Sequence, residues 1–422
     1  MVRRDEIISL QAACFADDVP FDEEELSQWT REEVVAFFES GGTELPRTHL
    51  PTRDCSLEAS LQTLLTPLLR LSDLISLVGR YGPSSQLGAQ LQPLTEQIDA
   101  ELSRLHELPN VGWDAIELDG YSLKQRLCYA AEQVRLAAMS LLRGETDHDA
   151  FVKSMLCHEA LYPSWRILPA VSRHFLASAA QDNPRVLERL AAASQRPPGD
   201  DGIFHFRNEW GERGGYSVYV PEARDASQPL ALVMALHGAT GHGRAMLLSW
   251  MKACRARADV LLVAPTSRHE STWSLVPEKM EDDFPRLLEI VGAVERRWGP
   301  LAHRRFLLTG MSDGGTYTWL CGLRERSVFT HLAPFCPGPA FGFPAIAALL
   351  KISEETRTTL SQKPVYMVSG THDHLFDIAT SRKVATALTR AGAQLTFCEK
   401  TDMGHTQPRE ELPVVLDWLL GT

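Results

Sequence analysis

Apolar positions along the chain change their period once. From about residue 56 to 195 they recur at steps of three and four, the spacing that gathers one face of a helix. Leu57, Leu61, Leu64, Leu65, Leu68, Leu69 and Leu71 form one such face, and Leu87, Leu91, Leu94, Ile98, Leu102 and Leu105 form another. The pattern continues over Tyr121–Leu142, Phe151–Tyr162 and Ser164–Ala180, and closes with Val186, Leu187, Leu190 and Ala191. Upstream lies an acidic stretch with two shorter helical patterns, Asp5–Phe15 and Glu23–Glu39. The second contains a capped start at Ser27–Glu33 and a stop at Gly41-Gly42.

The segment Gln195–Gly202, rich in proline, glycine and aspartate, marks a boundary by composition. Beyond it, short apolar runs alternate with helical patterns. The expected strands are Ile203–Glu209, Tyr216–Val220, Leu230–Leu236, Val260–Ala264, Arg305–Thr309, His331–Phe335, Pro364–Ser369 and Gln394–Glu399. A polar, glycine-containing turn, Trp210–Gly215, joins the first two as a hairpin. Helices are expected at Arg244–Arg257, Asp282–Trp298, Thr316–Arg326, Ile378–Ala391 and Glu410–Leu419. Alternation of this kind predicts an α/β domain with a mostly parallel sheet covered on both faces. The expected organisation is therefore a short acidic helical segment (1–50), an all-helical domain (51–200) and an α/β domain (201–422).

Composition narrows the function classes. A net charge of −12 disfavours a nucleic-acid surface, which needs clustered positive charge, and disfavours docking on anionic membranes. The first residues, Met1-Val2-Arg3-Arg4-Asp5-Glu6, lead into no apolar run of the secretory type, and nowhere do 18 apolar residues run together. The eight cysteines are dispersed, with no C-x-x-C pair, and some sit in apolar runs such as Phe335-Cys336 and Phe397-Cys398. Buried free thiols in a reducing, cytoplasmic setting are expected.

The chemistry concentrates at Leu307-Leu308-Thr309-Gly310-Met311-Ser312-Asp313-Gly314-Gly315, where an expected strand feeds a G-x-S-x-G motif and a helical pattern follows. A serine on such a sharp strand-to-helix turn is a nucleophile elbow, and small residues flank it because side chains there would strike neighbouring backbone. An initial antiparallel pair, a doubly wound sheet and an elbow after the fifth strand resemble the α/β-hydrolases. The resemblance is closest to the phospholipase/carboxylesterase and dienelactone-hydrolase group. It is carried by Leu236-His237-Gly238, Gly310–Gly315, Gly370-Thr371-His372-Asp373 and Gly404-His405, and covers residues 203–422 only.

An acyl-transfer serine needs a base, a carboxylate that orients the base, and donors for the oxyanion. The chain order Ser, acid, His leaves His405, in a loop after the last strand, as the expected base for Ser312. His372 and His374 match by residue type but sit beside the acid position. Asp373 matches the G-x-x-D position after strand seven, while Asp377 precedes a helical run and is explained as an N-cap. Backbone N–H groups of Ala239 and Asp313 are the expected oxyanion donors, with His237 fixing the loop. The resemblance also suggests Trp273 on the cleft, with a packing aromatic as the alternative. Phe341 and Phe343 offer an apolar wall for an acyl or aromatic group.

No metal is expected, because His237 with His242, and His372 with His374, lack companion ligands at useful spacing, and no cofactor is needed. The expected activity is hydrolysis of a small acyl ester or thioester through an acyl-enzyme on Ser312. An acyltransferase, a peptidase or a lyase-type reaction would use the same residues, and a non-catalytic scaffold would be expected to have lost one of them. The helical half is a candidate cap, oligomerisation or targeting module.

Overall fold

The computed structural model describes residues 64–73, 85–107, 117–118, 121–143, 147–167, 169–197, 199–270, 272–275, 281–324, 326–338 and 361–422 (except Asp402), with isolated residues elsewhere. The expected helices at Asp5–Phe15 and Glu23–Glu39, and the Phe341/Phe343 wall, lie outside them. The chain forms two compact units. One comprises Met1–Leu64 with Ser103–Arg126, and the other Leu65–Leu102 with Leu127–Thr422. In the first, Glu117–Leu118 pairs antiparallel with Tyr121–Ser122.

Two long helices, α1 (Ser85–Glu107) and α2 (Leu123–Leu142), have the periodicity the sequence predicts. Along α2 the buried positions include Leu123, Leu127, Ala130, Ala131, Val134, Ala137 and Ala138, a stripe at steps of three and four. Helix α3 (Asp147–Leu161) and a single helical turn, Ser164–Ile167, follow. Helix α4 (Pro184–Ser194) begins where its residues dictate. Asn183 accepts from the N–H groups of Arg185 and Val186, and Pro184 occupies the first turn, where its missing N–H costs nothing.

The break at Gln195–Gly202 is a change from helix to strand, and contacts run across it. The Arg255 guanidinium and Glu222 carboxylate, both fully buried, meet at 2.9 Å. The Tyr162 and Tyr219 hydroxyls donate to the same carboxylate. Arg255 also lies over the Trp165 ring at 4.5 Å and the Tyr162 ring at 5.4 Å. Glu159 on α3 receives Arg244 at 3.0 Å and the Trp210 indole N–H at 2.8 Å. Residues 147–194 are thus fastened to the sheet by buried polar contacts.

That sheet has eight strands: β1 (Gly202–Phe206), β2 (Tyr216–Val220), β3 (Leu230–Leu236), β4 (Val260–Pro265), β5 (Leu301–Met311), β6 (His331–Phe335), β7 (Val365–Gly370) and β8 (Leu395–Lys400). Their spatial order is β8-β7-β6-β5-β3-β4-β2-β1. Strand β2 pairs antiparallel with β1 and β4, and all other pairings are parallel. Helices α5 (Gly243–Cys254), α6 (Phe284–Trp298), α7 (Asp313–Gly322), α8 (Ile378–Arg390) and α9 (Glu411–Leu420) connect or follow the strands. Strands β2 to β4 are buried at every position, as a sheet covered on both faces requires. A hairpin-started, mostly parallel sheet in this order, with a serine turn after β5, is the α/β-hydrolase fold.

Several boundaries differ from the sequence pattern: β1, α5 and α7 end three to four residues early, the expected helix over Ser164–Ala180 is short helical and 3-10 turns, and two starts also shift. Strand β5 starts at Leu301, four residues before the expected start. Its first part, with exposed His303, Arg304 and Arg305, pairs Leu301 with Leu230 ahead of an irregularity in register. Helix α7 starts at Asp313 rather than Thr316, because the turn at Ser312 is followed by helix with no intervening loop. Among the described residues no helix is long and apolar enough to cross a membrane.

Candidate active site

The parallel strands end on one edge of the sheet, and the sequence-predicted polar residues converge there. Ser312 sits between β5 and α7 with φ +56° and ψ −117°, a region that side-chain-bearing residues seldom occupy. Strain of this kind costs about 1–3 kcal/mol and persists only when the surroundings enforce it. Here the Ser312 N–H donates to the Phe335 carbonyl at 2.9 Å, and its carbonyl accepts from the Thr316 N–H at 2.8 Å. The neighbouring glycines are required by close approach. A Cβ on Gly310 would lie 2.4 Å from the Gly314 backbone, and one on Gly314 would lie 2.4 Å from the Leu236 carbonyl oxygen.

His405 faces Ser312 from the loop between β8 and α9, its Nε2 2.9 Å from Oγ. Its Nδ1 lies 2.8 Å from Asp373 Oδ2. With the proton on Nδ1, Nε2 is left as an acceptor for the serine hydroxyl. The other carboxylate oxygen of Asp373 accepts from the N–H groups of Leu375 at 2.9 Å and Phe376 at 2.8 Å. Burial would raise the Asp373 pKa, but the His405 hydrogen bond and these N–H donors outweigh it and hold the carboxyl below its ordinary value. Asp377 is elsewhere: it is exposed and caps α8, accepting from the Ala379 N–H. His372 and His374 are exposed, and it is the His405 ring that meets Ser312 Oγ.

The loop after β3 passes over the serine. A Cβ on Gly238 would lie 3.4 Å from Ser312 Cβ. Residues 238–241 form a turn closed by the Gly241 N–H donating to the Gly238 carbonyl at 3.1 Å, with Thr240 at φ +56°. This is the pattern of a type II turn, whose third position favours glycine or asparagine. A β-branched residue there is strained. The Ala239 N–H belongs to this turn, and the Asp313 N–H to the first residue of α7, so the two expected oxyanion donors come from segments that flank Ser312.

His237 fixes the loop. Its Nδ1 contacts the Gly238 carbonyl at 2.7 Å and its Nε2 accepts from the Ser267 N–H at 3.0 Å. Burial lowers its pKa to about 3, with Arg213 and His242 contributing against the Gly238 hydrogen bond, so the ring is neutral at physiological pH. Trp273, expected on the cleft wall, lies beneath the loop instead. It is 1% exposed, donates its indole N–H to the His237 carbonyl at 2.8 Å and stacks on Tyr317. The buried His237 carbonyl needs a donor, and the indole supplies it.

Several neighbours were not legible as site residues. Phe376 packs its ring 5.0 Å from the His405 imidazole, edge to face. Thr272 donates its hydroxyl to Asp313 Oδ2 at 2.5 Å, tying the loop after β4 to the elbow. The G-x-x-D position of Asp373 was the available signal for Phe376, three residues on. A cavity of about 370 Å³ opens beside the turn, with Thr240, Trp210, Arg213 and Glu270 on one side and Phe151 and Val152 of α3 on the other.

Cys336, Asp373 and His405 are a group with metal-ligand atoms within 4.8 Å of one another, found among the described residues. Burial, and then the nearby Asp373 charge, push the Cys336 thiol up to about 12. Cys336 Sγ donates to the Thr406 carbonyl and both His405 nitrogens face protein partners, so the three groups read as a hydrogen-bonded relay.

No protein-family model matches the chain, and no curated protein matches it. Solved structures do. A thermostable esterase aligns at 17% identity and TM-score 0.40 over 53% of this chain, and the chain covers 62% of that protein's length. An acetyl xylan esterase from Aspergillus awamori aligns at 13% identity and TM-score 0.42, covering 52% of this chain and 100% of the esterase. Acyl-protein thioesterase 2 from Zea mays aligns at 16% identity and TM-score 0.36, covering 49% and 98%.

Proposed function

We propose that the protein is a serine hydrolase that cleaves a small carboxylic ester or thioester through an acyl-enzyme on Ser312. The observation that carries this reading is the line from Ser312 Oγ to His405 Nε2 at 2.9 Å and from His405 Nδ1 to Asp373 at 2.8 Å. His405 takes the hydroxyl proton as Ser312 attacks the carbonyl, and the Asp373 carboxylate stabilises the imidazolium that forms. The Ala239 and Asp313 N–H groups donate to the tetrahedral oxyanion. Its collapse releases the alcohol or thiol, which takes the proton from His405. Water, deprotonated by the same ring, then frees the acid and restores Ser312.

In this reading residues 201–422 are the catalytic domain, no cofactor takes part, and the helical residues before them border the approach to the turn over Ser312. Phe151 and Val152 on the cavity beside Thr240 support that last role. Cys157, Cys254, Cys321, Cys336 and Cys398 carry free thiols, which fits a reducing compartment.

The test is turnover of p-nitrophenyl acetate together with labelling by a fluorophosphonate. Ser312→Ala is expected to reduce turnover about 10³-fold or more and to abolish labelling. Undiminished hydrolysis by that variant would remove Ser312 from the mechanism. Release of a transferred ester in the presence of an added alcohol, in place of free acid, would make the protein an acyltransferase on the same residues.

A further inference from the structure

The turn over Ser312 is strained at Thr240, so something outside it must hold its shape. The loop between β1 and β2, Trp210–Gly215, does this, although in sequence it reads only as a hairpin turn. Arg213 reaches from it with three groups of the guanidinium. Nη1 donates to the Gly241 carbonyl at 2.8 Å, Nε donates to the His269 carbonyl at 3.1 Å, and Nη2 donates to the His269 carbonyl at 2.8 Å and to Ser267 Oγ. Gly241 is the closing residue of the Gly238–Gly241 turn, and Ser267 donates its N–H to His237, the residue that begins the loop. One side chain therefore ties the end of the turn to the support under its start.

The arm that carries Arg213 is itself anchored. The Gly214 N–H donates to the Ser267 carbonyl at 3.2 Å, and the Thr266 N–H donates to the Gly215 carbonyl at 2.9 Å. A second tie runs beside the first: His242 Nε2 contacts the Glu212 carbonyl at 3.1 Å, and its ring stacks on Trp210. A planar fork meeting two carbonyls and a hydroxyl at once is work for arginine, since an ammonium offers no fixed geometry.

We propose that Arg213 is a positioning residue for oxyanion stabilisation: by gripping Gly241, His269 and Ser267 it holds the Gly238–Gly241 turn with the Ala239 N–H aimed at the developing oxyanion. This rests on the serine-hydrolase reading above. Arg213 touches no reacting atom. Its effect is on the transition state, because a donor displaced by a fraction of an ångström still admits substrate but no longer meets the tetrahedral oxygen.

The test compares Arg213→Met, Arg213→Lys and Ser267→Ala with the wild type, using p-nitrophenyl acetate as substrate and trifluoroacetophenone as a probe. That ketone adds to a reactive serine and presents a tetrahedral oxyanion. Arg213→Met is expected to lower kcat about 10- to 100-fold with KM changed by less than about threefold, and to weaken ketone inhibition by the same factor as kcat. Arg213→Lys should recover part of both, and Ser267→Ala should show a smaller loss of both. A folded Arg213→Met with wild-type kcat overturns the proposal. So does a kcat loss that leaves ketone inhibition intact or is matched by a rise in KM. If Arg213→Met gives no cooperative melt, the other two variants decide by the same parallel. Wild-type turnover that survives Ser312→Ala is a different failure, and would sink the parent reading instead.

Discussion

Replacing Arg255 with methionine isolates the contact that fastens the helical residues to the sheet. Arg255 and Glu222 are both fully buried, so the variant leaves a carboxylate in the interior without its charged partner, held by the Tyr162 and Tyr219 hydroxyls and a backbone N–H. Removing one partner of a buried pair costs about 3–5 kcal/mol, chiefly because the survivor is stranded. Methionine fills some of the space under Trp165 and Tyr162, but the cation–π contacts are lost. Unfolding entropy of about 2.1 cal/mol/K per residue makes 1 kcal/mol worth about 1 °C in a chain of 422 residues, so the melting temperature, followed by circular dichroism, should fall by roughly 3–6 °C. Glu222→Gln added to Arg255→Met should regain part of the loss, with a coupling of about 1–3 kcal/mol. The pH dependence has a definite sign. In the wild type, burial would raise the Glu222 pKa, but Arg255 and the two tyrosines outweigh it and hold it low. Its stabilisation is thus present above the unfolded value near 4.5 and lost as pH falls. Without Arg255 burial dominates and the pKa is raised, so the variant should lose stability as pH rises above that value. The deficit should be larger at pH 8 than at pH 5. A melt within about 2 °C of wild type, or a deficit that shrinks with rising pH, would refute the reasoning.

The two aspartates after β7 should separate cleanly: Asp373→Asn should reduce ester turnover about 10³- to 10⁴-fold in a folded protein. Asp377→Ala, at the exposed cap of α8, should cost about 1 kcal/mol in urea denaturation and leave turnover unchanged. Equal losses in both variants would dissolve that assignment. Acid should destabilise the wild type through groups whose folded pKa values lie below their ordinary ones. In each of Glu159, Glu222 and Asp373 burial opposes the shift and hydrogen-bonded or charged partners prevail. Their contribution is complete above about pH 5 and is lost as pH falls through the folded values. Urea midpoints measured from pH 7 down to pH 3 should therefore decline, and a flat series would contradict the partners named.

What could be read from the sequence were features written locally. Strands β2, β3 and β4 are continuous apolar runs because both faces are buried, and α2 repeats its small and apolar residues at helical steps. Ser312, Asp373 and His405 each carry a local signature, and the fold's chain order brings them together. The apolar pattern starts β5 only at Arg305 because Ala302 to Arg305 lie in the irregularity between the Leu301 and Phe306 pairings, and His303, Arg304 and Arg305 are exposed. The glycines after Ser312 argued against helix by propensity, yet close approach to Leu236 and Phe335 makes them obligatory in the first turn of α7.

The illegible part has a common physical cause: its partners are distant in sequence and mostly backbone. Trp273 reads as an aromatic on a loop, and only the His237 carbonyl, 36 residues away, explains its burial. Arg213 looks like one more charge in a hairpin, but its acceptors lie 28 and 54 to 56 residues downstream and two of them are main-chain carbonyls. A carbonyl has no residue type, so no motif can announce it. Elbow, acid and histidine are read because chemistry demands particular side chains at the reacting atoms. The parts that hold them in place need only a donor of the right reach. On that argument the supporting residues of this site had to come from geometry, and Arg213 is the one whose removal separates positioning from chemistry.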